Sequence, residues 1–170
     1  MRAIAALVLL LLSAGAGAAA YDANGVTLGG KEEDVRRKFP SARCQALEWK
    51  SKAADRRCDD ARIAFAGVQA RITFYLRRDA IQAFDVRFDT RDLERVTGFL
   101  KTQYGAPLAE TRDTLQGKDK NDKDKKPRVI YKLRWEAGKD RAVLVSELDK
   151  SRSSLLVSRG DFEEEIYRVR

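Results

Sequence analysis

The strongest constraint on the fold of this chain is a period of two that begins at Ala61 and runs to Asp89. Ile72, Phe74 and Leu76 alternate with Arg71, Thr73, Tyr75 and Arg77, so an extended chain here has one face to bury and one to leave wet. Phe84, Val86 and Phe88 alternate with Asp85, Arg87 and Asp89 in the same way, and Ile63 and Phe65 open the series. Gly67 permits a turn and Arg78-Asp79 makes a tight reversal, which predicts a meander of three antiparallel strands. Ile81 and Ala83 are out of phase with Phe84, Val86 and Phe88, the mark of a bulge or of a strand that starts one residue away. Further strands are expected at about 108–115, 128–136, 141–148 and 153–158. In the second of these Val129, Tyr131, Leu133 and Trp135 oppose Arg128, Ile130, Lys132 and Arg134.

Two helices interrupt the strands. Gly29-Gly30 leads into Lys31-Glu32-Glu33-Asp34, whose acids complement the positive end of a helix dipole, and Pro40 stops a helix of about Lys31 to Phe39. Asp89 or Thr90 caps the second, where Leu93, Val96, Thr97, Leu100 and Tyr104 recur at helical spacing before Gly105 and Pro107 end it. The fold class is therefore α+β, two helices packed on an antiparallel meander. The order helix, strands, helix, strands also fits two copies of one helix-plus-meander unit. The expected core is Val35, Phe39, Ile72, Phe74, Leu76, Val86, Phe88, Leu93, Val96, Leu100, Leu133 and Trp135.

Residues 1–20 stand apart from this pattern. Arg2, an apolar run from Ala3 to Leu12 and small residues through Ala20 describe a secretory signal peptide, with Ala18-Ala19-Ala20 as the cleavage pattern. Its apolar core is shorter than the roughly 20 residues of a membrane-spanning helix, and no cysteine follows it to take a lipid anchor. A single secreted domain over 21–170 is expected, periplasmic or extracellular, with no stable membrane anchor. Cys44 and Cys58, two cysteines in an oxidising compartment, are expected to form a disulfide; a catalytic dithiol would favour Cys-x-x-Cys at a helix start. Leu47-Glu48-Trp49 between them fits a strand or an ordered loop. The segment 117–127 has no apolar residue and is expected to be a mobile loop. Phe162, Ile166 and Val169 in the tail fit a short helix docked on the sheet, or a terminal strand.

Much chemistry is excluded. The chain has no histidine, which removes Ser-His-Asp and Cys-His catalysis and most transition-metal sites. It has no Ser-x-x-Lys motif, and no glycine-rich phosphate loop follows residue 20. Asp119, Asn121, Asp122 and Asp124 lack the glycine and distal glutamate of a calcium loop and alternate with lysines that repel a cation. No metal, no cofactor and no catalytic residue is expected, although a pair of carboxylates acting as a cell-wall glycan hydrolase needs no special local spacing. Arg159-Gly160-Asp161 spells an adhesion tripeptide, but Gly and Asp are ordinary turn residues there. The net charge is +8, with acids and bases interleaved, so contact with anionic lipid or glycan is a weak expectation and nucleic acid is not an expected partner. Among the aromatics Trp49, Tyr75, Tyr131 and Trp135, Tyr75 stands out. If it shares a wet sheet face with Arg71, Thr73 and Arg77, those four form a candidate binding surface; ordinary packing is the competing reading.

Gly25-Val26-Thr27-Leu28-Gly29 leading into Glu33-Asp34-Val35 and Phe39-Pro40, and the second helix ending Tyr104-Gly105-Ala106-Pro107, resemble small envelope domains of the β-lactamase-inhibitor-protein and outer-membrane-assembly-lipoprotein superfamily. The resemblance implies helical elements on one face of an antiparallel sheet, in single or tandem copies, and function by binding proteins. The chain departs from the lipoprotein members in lacking an anchoring cysteine, and no inhibitory site carries over from the inhibitor members. The expected function is a non-catalytic binding module for an envelope protein.

Overall fold

The computed structural model describes residues 21–115 and 127–166, so residues 1–20, expected to be a signal peptide, and nearly all of the lysine- and aspartate-rich segment 117–127 lie outside the described residues. In chain order the elements are β1 (Asp22–Ala23), β2 (Val26–Thr27), α1 (Glu32–Lys38), β3 (Arg43–Ala46), β4 (Arg56–Phe65), β5 (Val68–Arg77) and β6 (Ala80–Asp89). A turn of 3-10 helix (Thr90–Asp92) leads into α2 (Leu93–Tyr104), followed by β7 (Ala109–Leu115), β8 (Arg128–Ala137), β9 (Asp140–Glu147), β10 (Arg152–Arg159) and α3 (Phe162–Glu165). Strand dominates, in an α+β arrangement. The strands β1 and β2 form a small hairpin; the other eight form one antiparallel sheet in the order β3-β4-β5-β6-β10-β9-β8-β7. Each longer helix precedes a four-stranded meander, and the two meanders join through their last strands, β6 and β10.

Local chemistry sets these elements. Glu32, Glu33 and Asp34 open α1 and Arg36, Arg37 and Lys38 close it, and the Asp34 carboxylate accepts from the Lys31 N–H at 3.0 Å. Asp89 caps the 3-10 turn by accepting from the Arg91 N–H, and Gly105 ends α2 at φ 81°. The bulge in β6 is real: Tyr75 pairs with Ala83 but Leu76 with Ile81, leaving Gln82 extra. It puts Ile81 on the same face as Leu76 while Ala83 lies on the other.

The main core lies on one face of the sheet. Val35 from α1 and Val96 and Leu100 from α2 are buried in one cluster with Ile72, Phe74, Leu76, Leu133 and Trp135, joined by Tyr21, Ala23, Val26 and Leu28 of the N-terminal hairpin. Phe39 packs on Phe74 with ring centroids 5.1 Å apart, and Tyr104 on Trp135 at 5.9 Å. All twelve residues expected in the core belong to this cluster, Leu93 at its margin. The strand β7 is an edge with every residue after Ala109 exposed. No helix among the described residues is long and apolar enough to cross a membrane.

Candidate functional site

The sheet face opposite the main core carries the side chains that alternate with it. Across it, Thr73 of β5 pairs with Asp59 of β4 on one side and Asp85 of β6 on the other, and Leu156 of β10 pairs with Asp85. One end of this face is covered. Ala53, Ala54, Phe162 and Ile166 form a second buried cluster with Ala83, against which Leu47, Trp49, Tyr75 and Leu156 pack. The Trp49 indole donates to the Ile166 carbonyl at 3.0 Å, and the Ser51 hydroxyl to that of Glu165 at 3.2 Å. These contacts tie α3 and the segment after β3 to each other across the sheet, and the C-terminal tail is a docked helix as far as it is described.

The rest of the face is an open depression of about 820 Å³, lined among others by Arg57, Asp59, Arg71, Thr73, Tyr75 and Asp85. Arg57 bridges Glu48 at 3.0 Å and Asp59 at 3.1 Å, and Asp59 also accepts from the Thr73 hydroxyl at 2.7 Å. Asp85 accepts from Arg87 at 2.8 Å. Its burial nevertheless pushes the carboxyl above its ordinary pKa, because the lost hydration outweighs the arginine's pull. Beside these groups lie half-buried Val145 and Leu156 and buried Val143, an apolar strip next to a charged floor.

The structure therefore brings Arg71, Thr73 and Tyr75 to one depression. Tyr75 is half-buried there, its ring 5.3 Å from that of Phe162. Arg77 is diverted: its guanidinium donates to the Lys52 carbonyl and secures the segment after β3. Asp59, Asp85, Arg57 and Arg87 share the face but were not singled out from the sequence. The alternation of β6 already places Asp85 and Arg87 on its wet side, and only the strand register was needed to set them beside β5.

Cys44 and Cys58 are direct cross-strand partners joined by a disulfide, with Cα atoms 3.9 Å apart. The ligand-type atoms of Glu32, Cys44 and Cys58 lie within 4.8 Å of one another, but both sulfurs are committed to the disulfide and cannot serve as thiolate ligands. Arg159 of the adhesion-like tripeptide is held by Asp140 through two hydrogen bonds of 2.7 and 3.0 Å. Comparison of the chain with protein-family models, curated proteins and solved structures finds no match.

Proposed function

We propose that this protein is an exported, non-catalytic binding module of the bacterial cell envelope that recognises a protein partner on the open face of its sheet. The observation that carries the reading is the composition of that face. A partly buried tyrosine and an apolar strip adjoin exposed arginines over a broad depression, the mixture of apolar centre and arginine-rich surround found at protein interfaces. The leader-like first 20 residues and the disulfide support export. The resemblance to the β-lactamase-inhibitor-protein and outer-membrane-assembly-lipoprotein superfamily supports protein binding, and two helix-plus-meander units in tandem suit it.

A second reading has one observation in its favour. Asp59 and Asp85 line the same depression two strand spacings apart, roughly 10 Å between backbones, and burial raises the pKa of Asp85 as a general acid requires. Two carboxyls in one depression, one with a raised pKa, are what a carboxylate-dependent glycan hydrolase requires.

The test is capture from the cell envelope with a photo-cross-linking residue at position 73 or 145, read by mass spectrometry. One dominant protein, lost when Thr73→Glu is added to the position-145 probe, is the expected result. Recovery of no reproducible protein overturns the binding reading. Release of soluble fragments from purified peptidoglycan, abolished in Asp85→Asn, replaces it with the second.

A further inference from the structure

Two arginines face each other across the β5–β6 ladder. Arg71 is the direct partner of Arg87, an arrangement that sheets disfavour because directly opposed Cβ atoms stand about 5 Å apart and like charges repel. A third joins them from β10. Ser154 is opposite Arg87, so Arg152, two residues earlier on the same face, is the diagonal neighbour of Arg87 at about 7–8 Å.

These guanidinium groups are unequally satisfied. Arg87 is paired with Asp85. Arg71 and Arg152 are exposed and make no side-chain ion pair or hydrogen bond among the described residues. Two acids stand nearby. Asp89, the direct cross-strand partner of Arg152, is already engaged by Arg91, accepting from its main-chain N–H at 2.9 Å and from its guanidinium at 3.0 and 2.9 Å, which holds its pKa at about 2. Asp92, at the start of α2, offsets a single charge.

All of these groups border one depression of about 470 Å³, lined by Gln69, Arg71, Arg87, Arg91, Ser151 and Arg152 beside the two aspartates. Amide and hydroxyl donors thus sit among the guanidiniums. We propose that this depression binds a phosphate ester, with Arg71 and Arg152 gripping its oxygens and Arg87 completing the cradle. A guanidinium presents paired N–H donors in a fixed fork that matches two phosphate oxygens, and a tetrahedral anion between the Arg71 and Arg152 forks, beside the Asp85-paired Arg87, turns their mutual repulsion into attraction. The depression is larger than a phosphate group and open on one side, leaving room for the ester's organic part. The inference stands on the arginine geometry and does not rest on the protein-partner reading.

Calorimetric and thermal-shift titration of the purified protein with inorganic phosphate and glycerol phosphate, at ionic strength matched with chloride, tests it. Phosphate is expected to bind and to raise the melting temperature where chloride does not. Arg71→Gln and Arg152→Gln, both exposed and compatible with the strand, are each expected to weaken phosphate binding about tenfold, the size of one lost charged hydrogen bond. Arg71→Gln is also expected to melt higher than the parent in the absence of phosphate, since it removes the opposed charge. Sedimentation with phosphatidylglycerol vesicles but not phosphatidylcholine vesicles, lost in Arg71→Gln, identifies a lipid headgroup as the source. Titration by glycerol phosphate without vesicle retention identifies a soluble ester. Phosphate indistinguishable from chloride, or a phosphate response unchanged in both variants, overturns the proposal.

Discussion

Arg78 and Asp79 turn the chain between β5 and β6 at φ of 49° and 64°, a left-handed conformation that ordinary side chains resist. Neighbouring groups hold it there. The Arg78 N–H donates to Asp55 at 2.9 Å, and the Asp79 carboxylate accepts from the Glu32 N–H at 3.1 Å, so the turn also anchors the start of α1. Arg78→Asn, which suits the first position of such a hairpin turn and keeps the main-chain donor, is expected to stabilise the protein by about 0.5 kcal/mol in urea titration. The reversal itself was legible from Arg78-Asp79 between two alternating runs. What faces what across it was less so. Counting outward from Arg77 and Ala80 sets Arg71 against Val86, and only the extra residue Gln82 shifts the register to put Arg71 opposite Arg87. The phase slip at Ile81 and Ala83 is visible in the sequence, but one slip does not say which residue is extruded, so the arginine pair emerged only in the fold.

At the scale of elements, the longer strands and helices follow the hydrophobic period, while the β1–β2 hairpin and β3 carry no such period, Leu47-Glu48-Trp49 is a loop, and two further features escaped it. The strand β4 starts at Arg56, earlier than its apolar alternation, because Arg56, Arg57, Asp59 and Asp60 are charged or partnered within the sheet and look like loop in one dimension. A second bulge, between Asp60 and Ile63, then changes the phase, so that Cys58 and Ile63 face the same core. The covering of the open face by α3 was the other: Phe162 and Ile166 suggested a docked helix, but nothing in one sequence pairs them with Ala53, Ala54 and Trp49. The short edge strand β3 depends on its disulfide, having four residues, three of them exposed, and so little packing of its own. Reduction, or Cys44→Ala with Cys58→Ala, is expected to cost about 3 kcal/mol of stability and to expose the β3 amides to hydrogen exchange before those of β5.

At the scale of the whole molecule, the two meanders share one core across the β6–β10 seam. Leu155 and Val157 of β10 lie opposite Val86 and Phe84 of β6 on one side and Leu144 and Ala142 of β9 on the other, all buried. Neither half completes that layer alone, so the chain is expected to unfold in one step despite its two helix-plus-meander units. The tryptophans report two separate clusters, Trp49 the small one against α3 and Trp135 the main core. In Trp49→Phe and Trp135→Phe, the remaining tryptophan should give the same denaturation midpoint as far-ultraviolet dichroism measured on that variant. Leu155→Ala should lower the midpoint of both by an equivalent of about 2–5 kcal/mol while keeping the transitions coincident. The far edge of the sheet has no covalent staple of this kind. Along β7 no second strand among the described residues pairs with the outer amides and carbonyls, and Glu110, Arg112 and Asp113 occupy three of its seven positions. Those charges are a barrier to aggregation: they let an exposed edge strand end the sheet in water instead of seeding its continuation into the next molecule.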